Sequence, residues 1–329
     1  MSNRTVQVAV AIAACLALHA DLHAQTKKRP APARRAPAAP TLECGDLVGF
    51  QVLLDRQAFS PGEIDGRTGA NFSHVLAALQ TARKLQPTGQ PDCDTWKALG
   101  GDSAEPTITT YTLTDEDVKG PFEKIPPKLA EQSHLDALGY QSTTELIAER
   151  FHSSPALLAR LNPGVAMTAG NTIKVPAVTA FDAAAKPARD AEAGDITIQV
   201  SREESALRAT RADGTLVFFA PVSSGSTHDP LPPGDWKVNG VSWHPTFHYN
   251  PDLFWDAKAT DEKALIKAGP NNPVGVVWVA LNLEHYGIHG TPEPGHIGHT
   301  ESHGCVRMTN WDAAHLASLV KPGTPVTFK

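Results

Sequence analysis

One stretch near the C-terminus concentrates the groups able to do covalent chemistry. It reads Gly287-Ile288-His289-Gly290-Thr291-Pro292-Glu293-Pro294, then Ile297-Gly298, then Ser302-His303-Gly304-Cys305-Val306-Arg307-Met308. A thiol is only a few per cent thiolate at neutral pH and becomes a strong nucleophile beside a base. Gly304 lets the backbone approach a substrate closely. The backbone N–H groups around Gly304 and Cys305 are natural donors to a developing oxyanion. Arg307 can grip a carboxylate through two parallel hydrogen bonds, or serve a structural ion pair instead. His285, His296, His299, His303 and Cys305 also make a histidine-rich cluster of the kind zinc uses. No histidine pair forms the helical His-Glu-x-x-His of a metalloprotease, however, and Gly295, Gly298 and Gly304 favour an irregular loop. A thiol enzyme without metal or cofactor is therefore expected. A chelator would abolish activity under the zinc reading, and a thiol alkylator under this one.

The cysteine count sharpens this. The chain has Cys15, Cys44, Cys93 and Cys305. Arg4 followed by an apolar stretch over 6–18, with small residues up to Leu22-His23-Ala24, has the pattern of an export signal, 1–24. Cys15 leaves with it, unless it is the anchor of a lipoprotein, which the apolar run continuing past it disfavours. An oxidising compartment permits disulfides. Cys44 and Cys93 bracket one compact segment and are expected to pair, so Cys305 remains as the odd, reactive thiol.

A length of 329 residues is enough for two or three domains, and 41% hydrophobic against 19% charged residues allows them cores. A net charge of -6 argues against a general nucleic-acid binder. Residues 25–41 are rich in Pro, Ala, Lys and Arg and read as a tether. Residues 42–101 read as a small helical unit, with helices expected over 48–55, 71–85 and from Thr95, separated by Ser60-Pro61-Gly62 and Asp65-Gly66 turns. Within 104–178, helices are expected over 142–151 and 153–161, then a strand over 172–176. Residues 179–194 read as a linker. From 195 to 329 the texture turns to strands, at 196–200, 216–219, 275–281 and 286–289, with one helix from a capping box at Thr309 to Val320.

The C-terminal motif resembles the L,D-transpeptidase (YkuD-type) catalytic domain, in which a histidine precedes Ser-His-Gly-Cys. The likeness continues upstream through Asp229-Pro230-Leu231-Pro232-Pro233-Gly234-Asp235-Trp236 and Gly269-Pro270-Asn271-Asn272-Pro273, covering about 135 residues. The resemblance implies that Cys305 is the nucleophile and His289 its base, with the Gly290 carbonyl orienting the imidazole. His303 and Gly304 would shape the oxyanion pocket. Ser302, Arg307, His248 and Tyr249 would meet substrate; Trp243 suits either the groove or the core, and Trp278 and Trp311 read as core. The implied reaction is attack on the L,D peptide bond of a peptidoglycan stem, loss of D-Ala, and transfer to an amine, with water or an outer-membrane lipoprotein as other acceptors. A wall-binding protein that kept the fold without the chemistry is a rival, countered by the intact His289 and Cys305.

Two further resemblances complete the organisation. Residues 59–71 and Gly89-Gln90-Pro91-Asp92 before Thr95-Trp96 resemble the type 1 peptidoglycan-binding domain, a three-helix wall-docking module. Leu79-Gln80 departs from it, where the family has an aromatic before Gln. Glu149-Arg150-Phe151-His152, Leu161-Asn162-Pro163 and Ile173-Lys174-Val175-Pro176 resemble a LysM-like glycan-binding unit; a spacer is the other reading. The expected fold is thus multidomain, a three-helix module and a mainly β, sandwich-like catalytic domain with few helices, and its partner is peptidoglycan.

Overall fold

A computed structural model describes residues 42–255, 257–258, 260–300 and 304–329; the expected signal, tether and Cys15 lie outside them. Asp46 caps the first helix, α1 (Leu47–Asp55), by accepting from the Gly49 N–H at 2.7 Å. After the 60–69 turns come α2 (Ala70–Ala82) and α3 (Cys93–Ala98), the latter capped by Asp92. Phe50, Leu54, Val75, Leu76 and Leu79 close their core. Cys44 and Cys93 are joined by a disulfide.

The next stretch makes a two-stranded antiparallel pair, β1 (Ile108–Thr112) with β2 (Thr172–Pro176). Four helices lie between these strands: α4 (Asp115–Val118), α5 (Leu129–Gln132), α6 (Thr143–Arg150) and α7 (Pro155–Leu161). Ser142 and Ser154 cap α6 and α7, as local side-chain acceptors do for orphan N–H groups. Residues 119–141 form a strap carrying α5, and the strap is pinned to the C-terminal part. Leu138 N–H donates to the Ala268 carbonyl at 3.1 Å, and Asn271 N–H to the Leu138 carbonyl at 2.9 Å. Gly269 is required there, because a Cβ would sit 2.1 Å from the Leu138 oxygen.

The remainder is a nine-stranded sheet. Its members are β3 (Ile196–Ser201), β4 (Ala206–Arg211), β5 (Leu216–Pro221), β6 (Ser223–Ser224), β7 (Gly234–Trp243), β10 (Val277–Leu281), β11 (Gly287–His289), β12 (Val306–Arg307) and β13 (Pro325–Phe328). Between β7 and β10 a small ladder joins β8 (Phe247–Tyr249) to β9 (Ala264–Ile266). The sheet order is β5-β4-β3-β13-β7-β10-β11-β12-β6. The long β7 spans two half-sheets: its first half pairs with β13 and its second with β10. Side chains of both halves, such as Ile198, Val200, Val279, Ile288 and Val306, meet in one core with Leu316 and Leu319 of α8 (Asn310–Leu319). This is the sandwich-like packing expected from the strand texture. Thr309 caps α8 by accepting from the Asp312 N–H at 3.2 Å, while Asp312 Oδ2 accepts from the Thr309 hydroxyl, so the N-cap half of the expected capping box forms.

Residues after 39 form one compact unit, so the N-terminal helices are built against the sheet. Ser60 N–H donates to the Phe219 carbonyl and Phe219 N–H to the Ala58 carbonyl. Ser60 Oγ reaches Asp312 Oδ2 at 2.9 Å, and Asn71 Nδ2 donates to the Ile297 carbonyl at 2.8 Å. His152 Nδ1 lies 2.8 Å from Asp55 and its ring stacks on Trp311, which is core as expected. Within the 179–194 stretch, read as a linker, Phe181 packs on the sheet core and Ala193 is buried in it.

Candidate active site

Strand alternation places the chemistry. On β11 and β12 the apolar Ile288 and Val306 point into the core. With period two, Gly287 and His289, and Cys305 and Arg307 beside them, must face the other way. The two strands are parallel, with Ile288 opposite Val306 and His289 opposite Arg307. On the other side of β11, Trp278 of β10 stands opposite His289. Trp278, His289, Arg307 and Cys305 therefore share one face, the floor of a cleft of about 540 Å³.

His289 is buried, and its Nδ1–H donates to the Gly290 carbonyl at 2.7 Å. A carbonyl can only accept, so this bond fixes the tautomer and leaves Nε2 with a lone pair for a proton. Trp278 stacks on the ring, with centroids 5.3 Å apart and planes 19° from parallel. Trp278 is half-buried and lines the cleft, which corrects its reading as core: a Trp flanked by Val277 and Val279 looks apolar throughout, but alternation sends only the valines inward. Burial pushes the imidazole down to about 4, helped by the Arg307 cation and opposed by the Gly290 bond.

Cys305 is half-buried, and its thiol donates to the His285 carbonyl at 3.4 Å. Burial pushes the thiol up to about 11, against the pull of the Gly287 backbone and of Arg307. The resting pair is thus thiol and neutral imidazole. Gly304 holds a φ of +96°, which favours glycine, and a Cβ there would come within 3.0 Å of the Tyr286 ring. The ring fills the space behind the Gly304–Cys305 peptide. Ser302 and His303 lie outside the described residues.

Beneath the histidine sits an anchor that sequence reasoning missed. Asn310, fully buried, accepts from the Val276 N–H at 3.1 Å and donates to the Pro270 carbonyl at 3.0 Å and to Glu149 Oε1 at 2.7 Å. Its Oδ1 fills the place where a Gly290 Cβ would be, 2.1 Å away, and likewise at Gly275. The peptide that orients His289 thus rests on an amide held by a carboxylate of α6. Burial pushes Glu149 up to about 7.

The cleft walls are aromatic. His248 and Tyr249 line it, as do Phe247 and Phe254. Trp243 lies against the sheet core instead. Leu129 of the strap forms part of the opposite wall, a contribution from outside the 195–329 stretch. His296 and His299 are exposed on the loop before Cys305. No group of three His, Cys, Asp or Glu is gathered for a metal among the described residues.

Residues 195–328 match the model of the L,D-transpeptidase catalytic domain, and residues 46–99 that of a putative peptidoglycan binding domain. The chain is 30% identical over 188 residues to the putative L,D-transpeptidase YkuD of Bacillus licheniformis, covering 56% of this chain and 92% of that protein. The Bacillus subtilis protein of the same name is 52% identical over 58 residues, 18% of this chain and 35% of its own length. The catalytic domain of the Enterococcus faecium L,D-transpeptidase, solved by NMR, aligns over 41% of this chain and 97% of that one, at 22% identity and a TM-score of 0.32.

Proposed function

This chain belongs to the L,D-transpeptidase family, and from that premise we propose a thioester mechanism at the cleft just described. The activity is that of a peptidoglycan L,D-transpeptidase. In our reading Cys305 Sγ attacks the carbonyl carbon of the L,D peptide bond in a stem tetrapeptide, while its proton passes to His289 Nε2. The oxyanion is held by backbone N–H groups at Gly304 and Cys305. Collapse breaks the C–N bond, His289 returns the proton to the departing D-Ala amine, and a thioester remains on Cys305. An amine acceptor then gives a cross-link; water gives a trimmed stem, and a lipoprotein amine a protein attached to the wall. Arg307 and the aromatic wall with His248 and Tyr249 hold the donor.

The observation that carries this reading is that His289 and Cys305 line one cleft, with Nδ1 already committed to the Gly290 carbonyl. We also propose export to the cell envelope, with cleavage after Ala24 rather than anchoring at Cys15; N-terminal sequencing and palmitate labelling test it. Glycan binding by the unit over 104–178 belongs to the same proposal and is tested by pull-down on insoluble peptidoglycan.

The experiment is intact-protein mass spectrometry after incubation with disaccharide-tetrapeptide, for the parent chain and Cys305→Ala. An adduct on the parent alone, with release of D-Ala, is expected. A 3-3 dimer marks transfer and a tripeptide marks hydrolysis. No adduct on folded, reduced protein would sink the mechanism.

A further inference from the structure

The peptide that orients the base is held from two sides. Gly290 accepts from His289 Nδ1–H, and a Cβ built on Gly275 would lie 2.6 Å from the Gly290 carbonyl carbon. A Cβ built on Gly290 would lie 2.1 Å from Asn310 Oδ1. The peptide therefore cannot shift without moving the Gly275 backbone or the Asn310 amide. That amide is fixed in turn. The Val276 N–H can only donate to it and the Pro270 carbonyl can only accept from it, so its oxygen and nitrogen are assigned. The second N–H of Nδ2 goes to Glu149 Oε1 at 2.7 Å. Asn310 is 0% and Glu149 7% exposed, so without Oε1 a buried donor would be left unsatisfied. Glu149 belongs to α6 and lies outside the 195–328 catalytic stretch. Burying a carboxyl there carries a cost, seen in its rise to about 7, that an uncharged side chain of the same size would avoid.

We propose that Glu149 is a positioning residue for the acyl transfer. Acting through Asn310, it holds the Gly290 peptide, and with it the His289 ring, in the orientation that leaves Nε2 free for the Cys305 proton. The contacts run from Glu149 Oε1 to the Asn310 amide, from there to the Gly290 peptide, and from its carbonyl to His289 Nδ1. Glu149 touches no substrate and exchanges no proton in the reaction; it supplies a fixed acceptor. The 104–178 unit therefore serves the chemistry itself, because the base of the catalytic domain is steadied by a carboxyl 161 positions from Asn310. A simple tie between units would behave differently. Cutting a tie loosens the cleft as a whole, so access to the thiol and orientation of the base change together. Removing a positioning contact misaligns the base and leaves the thiol as it was.

This inference rests on the thioester mechanism above, and the test keeps the two apart. The full chain, Glu149→Leu and Glu149→Gln are each incubated with disaccharide-tetrapeptide over a range of concentrations. Mass spectrometry follows the acyl-enzyme and gives a maximal acylation rate and a half-saturating concentration. Alkylation of Cys305 by iodoacetamide is timed in parallel. Glu149→Leu is expected to lower the maximal acylation rate about 10–100-fold, the scale for losing a partner that orients a histidine. Its half-saturating concentration and its alkylation rate are expected to stay at the parent's values. Glu149→Gln keeps Oε1 and is expected to recover most of the rate. Glu149→Ser, too short to reach Asn310, takes the place of Glu149→Leu where that chain does not fold, with the same loss expected. Acylation at the parent's rate in the folded Leu or Ser variant would overturn the role. So would a Gln variant as slow as the Leu variant, or faster alkylation accompanying the slower acylation, which would make Glu149 a tie. No acyl-enzyme on the parent would overturn the mechanism itself, and this role with it.

Discussion

At neutral pH, Cys305 should be a slow nucleophile toward a small alkylating agent, despite its role. The thiol is pushed up to about 11 and the imidazole down to about 4. Moving the proton from one to the other across that gap of about seven units costs roughly 9 kcal/mol. A close ion pair at an effective dielectric of 20 returns only about 4 kcal/mol, so the neutral pair wins. At pH 8 about one Cys305 in a thousand is thiolate, against about one in ten for a thiol at 9.0. The higher pKa makes each thiolate about eightfold more nucleophilic, with a Brønsted slope near 0.45. Carbamidomethylation by iodoacetamide, followed at the Cys305 peptide, should therefore run about tenfold slower than for an ordinary thiol. It should climb about tenfold per pH unit from 6 to 10 without a plateau. His289→Asn separates the models by sign. With a neutral pair it removes burial and no cation, so alkylation stays equal or rises, while acylation by stem peptide falls about 10²–10⁴-fold. A plateau below pH 8, or slower alkylation in His289→Asn, would refute the neutral pair and establish a resting thiolate–imidazolium.

Gly290→Ala must move either Asn310 or the peptide that orients His289, because its Cβ would lie 2.1 Å from Asn310 Oδ1. Overpacking of this kind costs about 1–3 kcal/mol, and we expect a lower Tm together with a fall in kcat rather than a rise in KM. Glu63, Glu149 and Asp312 are each raised to about 7 by burial. The folded state therefore binds their protons more tightly than the unfolded chain, and stability is lost as pH rises from about 4 to about 7. Thermal melts should show a higher Tm at pH 5 than at pH 8, and Glu149→Gln should flatten that slope. Cys44 and Cys93 close a loop with a sequence separation of 49, for which chain entropy gives about 4 kcal/mol. The Cys44→Ala/Cys93→Ala chain should lose a large part of that in urea melts while Cys305 keeps its alkylation rate.

The reactive string was legible because its residues are close in sequence and β-strand alternation does the rest. His289, Cys305 and Arg307 needed only the pairing of two short strands to share a face. Gly290 was legible as the imidazole's anchor through family likeness, but not the reason it must be glycine: Asn310 is 20 positions away and fits beneath it only in the fold. Glu149 lies 161 positions from Asn310, and nothing local in α6 announces a buried carboxylate. The strap was unreadable for a related reason. Its helix α5 has four residues, too short for a period, and Leu129 acquires meaning only from what it faces. β4 was missed because Ala206-Leu207-Arg208-Ala209-Thr210-Arg211 holds few good strand formers; its pairing with β3 and β5 imposes the state.

The way the helical module is attached bears on how the enzyme would meet the wall. A tethered anchor needs only a flexible link and an open binding face. Here the very loop that carries the peptidoglycan-binding likeness is spent on the catalytic part. Asn71 is committed to the Ile297 carbonyl, and its side chain would collide with any Cβ at Gly298. Glu63 lies under Gly295, where a Cβ would approach its carboxylate at 3.0 Å. Both contacts fall on the 294–299 loop, which runs on toward Cys305. Whatever grips the module at residues 63–71 must therefore either leave these contacts in place, and so bind around the 294–299 loop, or break them. The buried bond from Ser60 to Asp312, at the start of α8, makes the module a support for the sheet's own core helix. Deleting it should cost fold stability before it costs wall affinity.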